Sequence, residues 1–122
     1  MLTCFTIALF AAADKKLLPG FECSGTEPFW GLTIQGNKSI KFSSPEIKEE
    51  LFVPVSYITP LGQEGVTYIY NTTSKRSKGA AVITILKSAC EDGMSNTEYD
   101  YTVIIDKIKD KVAFSGCCSM IK

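Results

Sequence analysis

Two short stretches concentrate the side chains that could do chemistry. Residues 23–32 read CSGTEPFWGL and residues 90–101 read CEDGMSNTEYDY. Glu27 and Asp92 could form the carboxylate pair that glycoside hydrolysis requires. Acid pairs also arise by chance in a chain with thirteen Asp and Glu residues. Asp92, Ser95, Asn96 and Glu98 offer oxygens to a calcium ion, but acids are absent from the alternating positions that an EF-hand loop needs. The alternative use of Asp92 and Ser95 is to satisfy the backbone of their own loop. Cys118 could serve as a nucleophile only if something activated its thiol, and the chain has no histidine. That absence also removes the usual Ser/His and Cys/His pairs and the usual zinc ligand set. The expectation is therefore a protein that is not an enzyme, with no metal and no cofactor. Glu27, Trp30, Asp92, Met94, Ser95, Asn96 and Tyr99 are its candidate binding residues.

The surrounding elements must position these residues. Pro28 fixes its own φ and biases Glu27 toward an extended conformation. Gly25 permits a tight bend, so GTEPFW reads as a shaped corner with Glu27 at a rim. Phe29 and Trp30 are adjacent and must face opposite ways; the alternative to a binding role for Trp30 is core filling. From Trp30 the pattern alternates, with Trp30, Leu32 and Ile34 on one face, which is a half-buried strand. Gly36-Asn37 is a turn signal, and Ile40 and Phe42 continue on the returning strand. Residues 45–50, PEIKEE, read as one helical turn or a loop. Leu51–Ile58 is β-rich, with Pro54 pointing to an edge or a bulge. Val66–Tyr70, Ala81–Leu86, Tyr99–Ile105 and Val112–Cys117 complete the strands. NTTSKRSKG (residues 71–79) reads as a polar loop and KIKDK (107–111) as a link. The expected fold is all-β: a small antiparallel meander of seven or eight strands, closed into a barrel or folded into a sandwich, and stapled by disulfides. The loop after Cys90 is held at both ends, which suits recognition.

One domain fits 122 residues. Thirteen basic residues balance thirteen acidic ones. No strong field is available to steer a polyanion, so nucleic-acid binding is not expected. Residues 2–13, LTCFTIALFAAA, are apolar and uncharged, and Ala11-x-Ala13 fits small-residue cleavage before Asp14. Residues 1–13 are thus expected to be a signal peptide and residues 14–122 a single domain, although no Lys or Arg precedes the apolar run. The stretch is too short to span a bilayer, which takes about 20 residues. If Cys4 leaves with the signal, Cys23, Cys90, Cys117 and Cys118 remain. An even count suits two disulfides in an oxidising compartment. Discarding a strained Cys117–Cys118 bridge, each of the adjacent pair bonds either Cys23 or Cys90. Neighbours on a strand point to opposite faces, so one bridge should lie inside the fold and one outside. Asn37 and Asn71 sit in glycosylation acceptor patterns.

The two segments together resemble a family of small exported bacterial proteins described as lipoproteins or as uncharacterised membrane proteins. The resemblance covers roughly residues 21–118. It is carried by E-P-F-W near the start, C-x-D-G-M-S-D with a following Tyr near the end, and a closing G-C. The matching positions are Gly25, Glu27, Pro28, Phe29 and Trp30, then Cys90, Asp92, Gly93, Met94, Ser95 and Tyr99, then Gly116 and Cys117. Many members have only the cysteine before D-G-M-S and the one in the final G-C. The resemblance therefore implies that Cys90 pairs with Cys117, leaving Cys23 with Cys118. Asn96 stands where the pattern usually has Asp, which weakens a metal or acid role there. No lipid-anchor motif is visible, so the protein is expected to be soluble after cleavage, periplasmic or secreted, and monomeric. The family carries no assigned activity.

The functional expectation is a binding module that contacts an envelope or secreted protein, or an envelope glycan, through Asp92–Tyr99 and Glu27. Its analogy is to disulfide-stapled β-barrel lysozyme inhibitors of the periplasm, at the level of fold alone. The alternatives are a barrel carrying a small apolar ligand among Trp30, Phe29 and the tyrosines, and a hydrolase using Glu27 and Asp92.

Overall fold

The computed structural model describes residues 19–26, 29–36, 38–45, 49–74, 80–93, 97–108 and 111–121. Residues 1–13, expected to be a signal, lie outside them, as do Glu27, Pro28, Asn37, Met94, Ser95 and Asn96. The described residues form eight antiparallel strands: β1 (Gly20–Thr26), β2 (Phe29–Gln35), β3 (Ser39–Ser43), β4 (Glu50–Ile58), β5 (Thr67–Ser74), β6 (Ala80–Glu91), β7 (Glu98–Lys107) and β8 (Val112–Ile121). Each pairs with the next, and β8 returns to β1, closing a barrel with no free edge. Among the described residues no helix is long and apolar enough to cross a membrane.

Strict alternation builds the interior. Phe21, Cys23, Trp30, Leu32, Ile34, Ile40 and Phe42 turn inward on the first three strands, and Ile83, Ile85, Tyr101, Val103 and Ile105 do so on β6 and β7. Eight strands leave an interior that side chains can fill. Trp30, Phe42 and Phe114 meet at one end, with ring centroids 5.4–6.1 Å apart. Phe21, Tyr57, Tyr68, Tyr70 and Tyr101 pack the other half. Tyr70 is fully buried, and its hydroxyl donates to the Pro19 carbonyl at 3.0 Å, seating the start of β1 against the interior. Burial pushes the Tyr70 phenol far above its ordinary value, with the Tyr57 and Tyr68 phenols adding to the effect.

Cys23 and Cys118 are directly opposite each other on β1 and β8, and their bridge lies in the core. Cys117 faces the other way and bonds Cys90. The pairing is the one the resemblance implied, and the inside/outside division follows from the alternation.

Several local expectations need correction. The eighth strand is β1, which the corner reading of GTEPFW concealed. Gly25 lies within β1 opposite Trp30 and makes no bend: a Cβ there would overlap the indole Nε1. Gly116 on β8 is bare for the same reason, since a Cβ would strike the Ser24 carbonyl oxygen and stand 2.7 Å from Trp30 Cζ2. The two glycines are a slot for the tryptophan. Asn71–Ser74 are strand rather than loop; Thr72 and Ser74 are buried, and Thr72 Oγ1 donates to Ala81 O at 3.0 Å. Asn71 lies on β5 with its amide donating to Ser56 Oγ at 3.0 Å. Lys107 ends β7 instead of opening a link, and Glu50 starts β4 instead of closing a charged loop. Pro54 sits where the β4–β5 register shifts, so its missing N–H is accommodated at a bulge.

Candidate functional site

The hairpin of β6 and β7 is longer than the barrel wall requires. A second register shift, between Lys87 and Cys90, bends it. Beyond that shift the hairpin end lies against the outer surface of β8 and β1. Two bonds fix it there, and a third braces its bend. The Cys90–Cys117 bridge ties it to β8. Thr26 Oγ1 donates to the Asp92 carbonyl at 3.3 Å, reaching from the end of β1 across 66 residues of sequence. Thr102 Oγ1 donates to Ser88 O at 3.1 Å, bracing the bend itself. Cys117 is only 2% exposed although it points away from the core, because the hairpin covers it.

At the tip, Gly93 adopts φ +78°, the left-handed region that turns require and side chains resist. Asp92 before it is half-buried, and the Tyr99 hydroxyl donates to its Oδ2 at 3.4 Å. The two stretches singled out in the sequence therefore meet through Thr26 and Asp92. Between them is a cleft of about 280 Å³, lined among others by Ser24, Thr26, Glu91, Asp92, Thr102 and Ser115. Among the described residues, small hydroxyls, two acidic residues and no basic side chain line it, which suits hydrogen bonding to a neutral or cationic group.

The candidate residues separate in this frame. Asp92 and Tyr99 belong to the outer site and touch each other. Trp30 does not join them: it is 5% exposed, packed on Phe42 and Phe114, and supports the site from beneath as core. Glu27, Met94, Ser95 and Asn96 lie outside the described residues. Among the described residues no three His, Cys, Asp or Glu side chains converge as metal ligands. The sequence reading missed Ser24, Thr26, Thr102 and Ser115. The alternation of Phe21, Cys23 and Gly25 was the available signal, since it places Ser24 and Thr26 on an outer face.

A second polar feature lies inside. Lys107 Nζ bonds Glu50 Oε1 at 3.0 Å, with the two side chains 9% and 11% exposed, and the ammonium stands 5.4 Å from the Phe42 ring centroid. No model of a known family, no curated protein and no solved structure matches the chain.

Proposed function

We propose that the protein is an exported, non-catalytic binding module of the periplasm or the extracellular medium. Its recognition surface is the end of the β6–β7 hairpin with the adjoining cleft, and its partner is an envelope or secreted protein or an envelope glycan. The observation that carries this reading is the fastening of the tip. A disulfide, a bond from β1 and the Tyr99–Asp92 contact hold an extension that the barrel does not need for closure. Ordering a loop in advance lowers the entropy lost on binding. Two disulfides suit an oxidising environment, in line with export.

The packed interior argues against a carrier of apolar ligands, because aromatic and aliphatic side chains occupy the space a ligand would need. The Asp92 carboxylate accepts a hydrogen bond from the Tyr99 hydroxyl, which suits a positioning role better than acid–base work.

The test is capture from an envelope extract by immobilised protein, with bound protein and glycan identified chemically and rebound in pure form. Wild type is expected to retain a defined partner. Ser95→Arg, which adds a bulky charge to the segment joining β6 and β7, is expected to lose at least tenfold in capture while its circular dichroism stays unchanged. Equal capture of the same partner by both would overturn the role of the tip.

A further inference from the structure

A separate recess lies on the outer face of β1–β3, overhung by Tyr99. Its volume is about 320 Å³, within the range of small-ligand sites of roughly 300–1,000 Å³. The register lays out its floor as two rows across three strands. Glu22, Thr33 and Lys41 form one row; Ser24, Gly31 and Ser43 form the other. Ser119 extends the first row onto β8, opposite Glu22. With strands about 4.8 Å apart, the backbones of Glu22 and Lys41 stand about 10 Å from each other.

The chemistry of the recess is specific. Ser24, Thr33, Ser43 and Ser119 present hydroxyls, and among the described residues no side-chain hydrogen bond engages them. Gly31 leaves the second row bare at its centre. A Cβ there would stand 3.5 Å from Ser43 Oγ, an ordinary contact, so the glycine is not demanded by packing. This distinguishes it from Gly25 and Gly116, whose bareness admits Trp30. Among the described lining residues Lys41 is the one cation, already paired with Glu49 at 3.6 Å, and Glu22 is the one acid. The site thus offers no uncompensated positive charge to a phosphate, and its hydroxyl floor gives an apolar ligand nothing in exchange for desolvation. Tyr99 supplies an aromatic wall, oriented by its bond to Asp92.

A floor of hydroxyls, a wall of one ring and one dip of bare backbone match a polyhydroxylated ring that is polar at its rim and has C–H faces. We propose that this recess binds a neutral saccharide unit: one face packs against Tyr99, the ring settles over Gly31, and its hydroxyls exchange hydrogen bonds with Ser24, Thr33, Ser43 and Ser119. The inference deepens the binding-module reading and rests on it.

The experiment uses labelled protein on a printed array of neutral, N-acetylated and acidic saccharides. Gly31→Val fills the dip on a half-buried outer strand position that favours β-branched residues, so its melting temperature is expected to be equal to or above wild type. Wild type is expected to bind neutral or N-acetylated saccharides, Gly31→Val to bind them at least tenfold more weakly, and Tyr99→Ala to be similarly impaired. The saccharide assignment is overturned if wild type binds no neutral or N-acetylated saccharide, if binding is confined to acidic ones, or if Gly31→Val binds as wild type does. A partner in the envelope extract that is lost only in Ser95→Arg would leave the broader reading standing while this one fell.

Discussion

Cys117 and Cys118 are neighbours in the chain, yet their bridges do different work. Cys118 points into the barrel and bonds Cys23 across the seam where the last strand meets the first. Cys117 points out and bonds Cys90, which anchors a hairpin end rather than the barrel. The inner bridge belongs to the closure of the fold and the outer one to the shape of its surface. The same division runs through other pairs: Gly25 is bare to admit a core indole, while Gly31 is bare where a Cβ would meet only Ser43 Oγ in ordinary contact; Tyr70 is sealed inside, while Tyr99 overhangs a recess. What faces inward here is fixed by packing, and what faces outward is arranged without packing requiring it.

The largest effect should come from separating the two bridges. The inner one closes residues 95 apart and the outer one residues 27 apart. On the chain-entropy account these separations correspond to about 4.7 and about 3.6 kcal/mol. Cys23→Ala with Cys118→Ala should therefore lower the urea midpoint more than Cys90→Ser with Cys117→Ser. Hydrogen exchange sharpens the contrast: loss of the outer bridge should raise exchange around residues 88–99 while the core strands stay protected, whereas loss of the inner bridge should raise it in every strand. Uniform deprotection in both variants would erase the distinction.

The next effect probes the inside alone. Lys107→Ala leaves Glu50 nearly buried without its cation, and removing one member of a buried pair costs about 3–5 kcal/mol. Because both side chains retain a little exposure, the lower end of that range is expected. Glu50→Leu combined with Lys107→Met should recover most of the loss, measured by the same denaturation. A Lys107→Ala variant with wild-type stability would show that the pair contributes nothing.

The smallest effect concerns the interior phenols. Burial raises the Tyr70 pKa above its ordinary value of 10.0. Below pH 10 the folded and unfolded phenols both keep their protons and stability is flat. Above pH 10 the unfolded chain releases its proton first, so stability falls by about 1.4 kcal/mol per pH unit for this one group, until the folded phenol also ionises. Denaturation at pH 9, 10 and 11 should show this slope in wild type and a shallower one in Tyr70→Phe. Equal slopes would place the alkaline loss elsewhere.

Much of the barrel is legible in the chain. Trp30, Leu32 and Ile34, then Ile40 and Phe42, then Tyr101, Val103 and Ile105 each announce a strand with one buried face, and all are buried. The cysteines at 23, 90, 117 and 118 and the lack of any convincing amphipathic stretch point to a stapled β-fold. The outer site is less legible. Asp92 and Tyr99 stand out by their turn-rich surroundings, but Thr26, Ser24 and Thr102 are unremarkable hydroxyls whose value depends on a hairpin folding back upon them. Lys107 and Glu50 look like solvated charges in charged runs until closure of the barrel brings β7 and β4 together across its interior.

By itself the sequence determined which side chains share a face, because the two-residue period of a strand is set by local backbone geometry. It also determined that adjacent cysteines must serve opposite sides of the sheet. Only the tertiary structure decided that β1 meets β8, that the β6–β7 hairpin bends onto the outer wall, and that a lysine enters the barrel beside a glutamate. Those outcomes depend on register and curvature accumulated over eight strands, and no local spacing of residues encodes that sum.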